Sequence, residues 1–384
     1  MPSQFQHTDL TLVEPSFSSP LTSLIIELDF LRRKRLGGTT ISSVFFQLKH
    51  LFHTLESIGS ARIEGNNTTI AEYIETKIEA PKNLAPTILE IRNMERAMEF
   101  IDANVKDAPL SKAFVGELHK IVVENLPPPP EGEGDRTPGE YRDAEVKIAH
   151  STHVPPDALY VKEYMEELFR WIAGPTESKY DLLKTAIAHH RFVWIHPFTN
   201  GNGRTVRLFT YAMLVKQGFH VDVGRIVNPT AVFCADRNAY YDHLSKADEG
   251  TREGILEWCE YVLSGLKTEI EKVDRLLDYE YLKKEILLPA IRISAERKLV
   301  TDVEAKVLMK VTEKQIAQSA DLQEVLSVKH KSDISRVIAK LKNKNMLVPI
   351  EEGKRKYTLR FDNNYLLRGV IQALDEKGFL PVRN

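Results

Sequence analysis

The sequence predicts a mainly α-helical chain that closes on a small winged helix-turn-helix. Three observations lead there. Apolar residues recur at helical spacing from about residue 20 to about 124, and again from about Val161. A single helical pattern runs from Ile255 to about Leu288, with Leu256, Cys259, Val262, Leu263, Leu266, Ile270, Val273, Leu276 and Leu277 among its apolar positions. In the last hundred residues, three short helical stretches precede two β-rich runs around a basic, polar tip.

Residues 1 to about 20 are polar and irregular. Val44 to Ile58 spaces Phe45, Leu48, Leu51, Phe52, Leu55 and Ile58 along one helical face, and Gly65-Asn66 supply a stop. Pro127 to Pro130, followed by Glu131-Gly132-Glu133-Gly134, excludes helix and predicts an exposed loop. Tyr180 to Trp194 and Thr205 to Val215 read as two helices around a glycine-rich loop. In the long pattern after Ile255, Gly265 is a weak point and Pro289 ends or kinks the helix. That segment connects domains or joins a homodimer. Val303–Val311, Glu313–Ala320 and Asp333–Lys342 are the three terminal helices, the last with Ile334, Val337, Ile338 and Leu341 inward. Met346–Ile350 and Tyr357–Phe361 flank Glu351–Lys356 as a wing. Four regions result: 1–110, a helical N-terminal region; 111–265, a helical core; 266–294, a connector; 295–384, the winged-helix-like domain.

Composition narrows the class. With 384 residues and 42% hydrophobic content, the chain buries two or three proper cores. Cys234 and Cys259 give neither a disulfide framework nor zinc spacing. The start MPSQFQHTDL has no basic segment or apolar stretch of a signal peptide, and no run of eighteen apolar residues suits a membrane. A cytoplasmic protein is expected. Leu326 to Arg360 carries ten Lys/Arg against three Asp/Glu, while the whole chain is at −2. A basic face of that kind holds DNA phosphates, with Lys331, Arg336 and Lys340 as base readers, or docks a protein.

The segment His196-Pro197-Phe198-Thr199-Asn200-Gly201-Asn202-Gly203-Arg204-Thr205-Val206-Arg207 concentrates chemistry. Gly201 and Gly203 permit backbone conformations in which successive N–H groups converge on an anion. The following helix N-terminus adds donors and a favourable dipole. Arg204 and Arg207, three apart, leave one helical face and can fork onto phosphate oxygens. The unperturbed histidine pKa of about 6.5 would suit His196 to proton abstraction near neutral pH, and Pro197 biases it toward extended backbone.

This string resembles the Fic family signature, HPFx(D/E)GNGRxxR. The resemblance implies a helical Fic core with a β-hairpin flap, and transfer of AMP from ATP to a Ser, Thr or Tyr hydroxyl of a protein, including the chain itself. His196 would be the base. Gly201, Asn202, Gly203, Arg204, Thr205, Val206 and Arg207 would bind ATP, with Tyr240 and Tyr241 lining the adenine pocket. The family carries a magnesium-binding carboxylate where Asn200 stands, so Mg2+ here would rest on a neutral carbonyl oxygen and bind more weakly. Ser60-Ala61-Arg62-Ile63-Glu64-Gly65-Asn66 resembles the family's inhibitory motif, (S/T)xxxE(G/N), with Ser60, Glu64, Gly65 and Asn66 at its marked positions. Glu64 would pair with Arg207 and deny it to the γ-phosphate. Pro138–Arg142 followed by Val146, Lys147, Ile148 and Ala149 resembles the flap that holds the target by strand addition. Two alternatives stand beside this reading: a DNA-associated regulator whose loop only binds nucleotide, and transfer of phosphate or another phosphate-linked group.

Overall fold

The structure, a computed structural model, describes residues 5–33, 38–148, 151–175, 177–219, 229–326, 331–351 and 355–380. They form two compact units. The first comprises Met1–Arg35, His53–Thr68 and Pro81–Ile270; the second Leu36–Phe52, Thr69–Ala80 and Glu271–Asn384.

The first unit is helical. It holds α1 (Pro20–Arg33), the second half of α2 (Ser42–Ile63), α4 (Pro86–Asn104), α5 (Lys112–Val123), α6 (Ala158–Ala173), α7 (Asp181–Ile195), α8 (Asn202–Lys216), α9 (Pro229–Ala235), α10 (Arg237–Asp248) and most of α11 (Arg252–Asp274). Helices α7 and α8 lie at its centre and are buried on nearly every side. Phe192, Phe198, Phe209 and Met213 pack with Val161, Met165 and Leu168 of α6 on one flank. Met94, Met98, Phe114 and Leu118 cover α8 on another. Trp258 of α11 closes a third cluster and donates its indole N–H to Ala186 O at 2.7 Å. Each such buried side chain contributes about 1.5–3 kcal/mol. Among the polar groups forced inside, His189, Thr210 and Arg207 are hydrogen-bonded.

Two helical expectations change. Helix α2 runs past Ile58 to Ile63 before stopping. There Gly65, at φ 101°, donates to Arg62 O and Asn66 donates to Ala61 O, so the last turn's carbonyls are satisfied. The pattern from Ile255 to Leu288 is not one helix. α11 ends at Asp274; a 3-10 turn (Arg275–Leu277), α12 (Tyr279–Tyr281), a π-turn (Leu282–Leu287) and α13 (Leu288–Glu296) follow. Pro289 sits in the first turn of α13. It lacks an N–H and crowds the preceding turn, which a widened π-turn accommodates. Gly265 interrupts nothing: a Cβ there would strike the Val232 side chain, so it serves close packing.

In the second unit, α14 (Asp302–Lys314), α15 (Ser319–Leu326) and α16 (Lys331–Asn343) accompany an antiparallel sheet of β1 (Ala317–Gln318), β2 (Leu347–Pro349) and β3 (Lys356–Leu359), in the order β1-β3-β2. Leu347 faces Leu359 and Ala317 faces Tyr357. Helix α17 (Leu367–Glu376) packs on α13. Ile334, Ile338 and Leu341 are buried and Val337 half-buried. The helix expected over Glu313–Ala320 is instead split. Gln315, at φ 61°, ends α14, and Ala317-Gln318 pair with β3 before α15 begins.

The expected borders at residues 110 and 294 are not borders of compactness. Residues 36–52 and 69–80 fold with the C-terminal unit. Gln47 donates to Leu359 O (3.1 Å) and accepts from Phe361 N (2.8 Å), and Glu75 pairs with Arg368. α3 (Ile70–Glu79) starts with a capping box between Thr69 and Glu72. Among the described residues, no helix is long and apolar enough to cross a membrane.

Candidate active site

His196 caps α7 in the left-handed region, at φ 52° and ψ 62°. This departs from the extended backbone that Pro197 was expected to impose. Helix termination overrides that bias, at a cost of about 1–3 kcal/mol for a non-glycine residue. Arg142 offsets it. Its guanidinium donates to His196 O (2.9 Å), Pro156 O (2.5 Å) and Ala144 O (3.0 Å), while its N–H meets Pro197 O at 2.8 Å. A cation thus satisfies the carbonyl end of α7. Burial pushes the imidazole pKa down to about 4, against the Val193 carbonyl and Glu64, which raise it. At neutral pH the ring is uncharged and able to accept a proton.

The loop after His196 is stapled by Asn202. Its Oδ1 accepts from Phe198 N (2.9 Å) and its Nδ2 donates to Phe198 O (2.8 Å). Gly201, at φ 72°, is the N-cap of α8 and offers no side chain to the first-turn N–H groups. These donors are thus left without a side-chain acceptor, as an anion cradle would need. Gly203 differs from expectation: it lies in regular helix, and its need is space, since a Cβ would strike Glu64 Oε1. Thr205 and Val206 are fully buried, Val206 among Phe192, Phe198 and Phe209, so their part at the loop is through the backbone.

Both arginines are engaged within the chain. Arg207 donates to Glu64 Oε1 (2.7 Å), Ser60 Oγ (2.8 Å) and Ser60 O (3.0 Å). Burial works against the Glu64 carboxylate, yet Arg207 and Arg204 hold its pKa below the usual range. Arg204 pairs with buried Glu90 (3.0 Å) and with Glu133 (3.0 Å). Asn66, read both as part of the helix stop and as a position of the inhibitory-like motif, braces Glu90, donating to Glu90 Oε2 (2.7 Å) and Thr87 O (2.8 Å).

The loop at 127–134, read as exposed, and Asp135 just after it hold the loop that follows His196. Asn200 N–H donates to Asp135 (3.2 Å), and Asn200 Nδ2 faces Gly134 O (3.3 Å) and Glu133 Oε2 (3.4 Å). Asn200 Oδ1 accepts from Gly201 N–H at 2.8 Å and keeps a second lone pair. Glu133, Asp135, Glu90, Arg142 and His119 were given no site role from the sequence. Glu133 and Asp135 lie in or beside the Pro/Gly-rich stretch and Arg142 ends the flap-like segment, while Glu90 and His119 sit in helices whose spacing says nothing of a distant partner.

Tyr240 is core. Thr210 gives its proton to Val206 O (2.8 Å), so it accepts from His189 Nδ1–H (2.7 Å). His189 Nε2 then accepts the Tyr240 hydroxyl proton (2.9 Å). Tyr241 is half-buried, with Arg237 over its ring at 5.4 Å. Tyr240 and Tyr241 edge a cavity of about 430 Å³ that also meets Glu64, His196, Gly203 and Arg207. Lys147 and Ile148 line it too; Val146 does not. The expected flap strand is not formed: residues 143–148 are irregular, and Ala149 lies outside the described residues. A lone two-stranded ribbon is marginal without a third strand.

The site lies in a stretch with known relatives. Residues 109–214 match the Fic/DOC family model. Protein adenylyltransferase Fic of Nematostella vectensis is 28% identical over 216 residues, 55% of this chain and 45% of its own length. Its counterpart in Drosophila yakuba is 32% identical over 211 residues, 54% and 38% of the two lengths. The match thus spans less than half of these relatives. The fold is that of a Fic family protein from Desulfovibrio desulfuricans G20, with a TM-score of 0.54 at 19% identity, covering 90% of this chain and 98% of that one.

Proposed function

We propose that the chain transfers AMP from ATP to a hydroxyl side chain of a protein, itself included, and that Glu64 restrains the transfer. The carrying observation is the neutral His196 placed on one cavity with the α8 N-terminus and with Arg207, the latter held by Glu64. The target hydroxyl gives its proton to His196 as its oxygen attacks the α-phosphorus. The bond to the β-phosphate oxygen breaks and pyrophosphate leaves. The first-turn N–H groups of α8 stabilise the phosphate charge.

The donor set fits a magnesium ion that arrives with the nucleotide: Asn200 Oδ1 retains one lone pair and Glu133 stands beside it. Such an ion would supply charge neutralisation on the phosphates. Release of Arg207 from Glu64 would then admit the γ-phosphate. Incubation with α- or γ-labelled ATP and Mg2+ tests the reading. Retention of the α-label on protein is expected; retention of the γ-label alone would mean phosphate transfer. For the C-terminal unit the positive charge of residues 326–360 supports contact with DNA phosphates.

A further inference from the structure

Helix α5 carries a histidine that the proposed chemistry does not use. His119 is fully buried. Its ring stacks on Phe198 with centroids 3.8 Å apart and planes within 1°. Gly139 N–H donates to Nδ1 at 2.9 Å, so Nδ1 bears no proton. The proton therefore sits on Nε2, which donates to Asn200 O at 3.0 Å. Asp135, at 3.6 Å from Nε2, spends its carboxylate on Asn200 N–H and Thr137 N–H instead. Burial also favours this neutral ring, holding its pKa down to about 4.

The two bonds lead to different parts of the site. Asn200 opens the phosphate loop. Gly139 opens the turn that delivers Arg142, whose guanidinium holds His196 O. Gly139, at φ 83°, lies so close to α5 that a Cβ on Gly116 would meet Gly139 O at 3.0 Å. We propose that His119 is a positioning residue, whose single ring sets the nucleotide loop through Nε2–H and the Arg142–His196 end through Nδ1. The inference rests on the AMP-transfer reading for its catalytic consequence, and on geometry alone for its structural one.

Two near-isosteric variants separate the bonds. The amide nitrogen of Gln reaches the place of Nε2, so His119→Gln keeps the donor to Asn200 and loses the acceptor for Gly139. The amide oxygen of Asn takes the place of Nδ1, so His119→Asn does the reverse. Amide exchange in the full chain reads both. Loss of one such bond should speed exchange about ten-fold locally. His119→Asn should do so at 200–203 and weaken ATP binding, by calorimetry, about ten-fold, leaving 139–142 unchanged. His119→Gln should do so at 139–142 and lower the transfer kcat, with ATP affinity kept. Both segments loosening together in both variants, or neither moving, would overturn the proposal.

A measurement on the unaltered chain stands if a variant does not fold. Nitrogen-15 NMR of the imidazoles should give an Nε2–H tautomer for His119; an Nδ1–H tautomer overturns the proposal. If ATP binds to none of the proteins while exchange still splits, the AMP-transfer reading falls and the positioning role stands.

Discussion

At the residue scale, the proposed chemistry makes His196 the group that sets the pH behaviour. Burial holds its pKa at about 4, below the ordinary value of 6.5. The folded chain therefore resists protonating it, and the base stays neutral through pH 5–8. The acid limb of kcat should fall near pH 4 to 5 rather than 6.5, measured in Glu64→Gly. His196→Ala should lower transfer by about a hundred- to ten-thousand-fold with ATP affinity kept. Wild-type transfer in that variant would remove His196 from the chemistry. Its neighbour Glu64 gives the opposite sign. Glu64→Gly should raise self-modification several-fold or more, because no carboxylate competes with phosphate for Arg207. Adding Arg207→Ala should abolish the gain. An unchanged rate in Glu64→Gly would make the ion pair purely structural. His196 and Arg207 stand out in the sequence because one motif compresses them into twelve positions, and Glu64 because it stands four after Ser60 in a second motif. Arg142 and His119 were not legible, because each acts on backbone atoms some 50 to 80 residues away, through contacts that leave no mark on local spacing.

At the element scale, α2 shows what a helical period can and cannot reveal. Glu56, Ser60 and Glu64 follow at intervals of four and share one face. The last two meet Arg207, a pairing that the family resemblance implied for Glu64 alone. Glu56 meets the start of α9 instead, accepting from Thr230 N–H at 2.9 Å. Burial, with Glu269 adding to it, pushes its pKa up to about 8. Between about pH 4.5 and 8 the folded state keeps this proton and the unfolded state does not. Stability contributed by Glu56 is thus full below about 4.5 and declines as pH rises to 8, by up to about 1.4 kcal/mol per pH unit. Glu56→Gln keeps an acceptor for Thr230 and should flatten that slope, as urea unfolding at pH 5 and pH 8 would reveal. Equal slopes in both proteins would place the titration elsewhere. The phosphate loop is the contrasting element. Asn200→Asp would replace the two donors facing Glu133 and Gly134 O by an anion. The variant should melt lower without metal, recover with Mg·ATP, and need less Mg2+ for half-maximal transfer. Superimposable magnesium titrations of the two proteins would make residue 200 a bystander.

For the whole molecule, the fold class was legible from periodicity, but the partition into units was not. Covering partners come from distant chain, as Gln47 beneath Leu359 and Phe361 illustrates. Charge suffers the same limit. Ten cations between Leu326 and Arg360 suggest a broad polyanion footprint. The folded unit spends four of them internally. Lys340 and Lys344 meet the buried Glu304 at 3.2 and 2.7 Å, Arg336 meets Asp333, and Arg360 meets Asp362. Burial opposes the Glu304 charge, yet the two lysines and Thr301 N–H hold its pKa down to about 2, so these contacts persist at any working pH. Lys329, Lys331 and Lys354 have side chains outside the described residues. At most six cations are then left for phosphates. With about 0.9 counterions released per neutralised phosphate, the plot of log affinity against log salt should slope no more steeply than about −5. Filter binding of the full chain to duplex DNA between low and moderate salt measures it. Glu304→Gln would free both lysines and steepen the slope by up to about 2 units on the same rule, without touching the nucleotide site. No retention on DNA even at low salt, in either protein, would leave the basic unit a protein-docking surface.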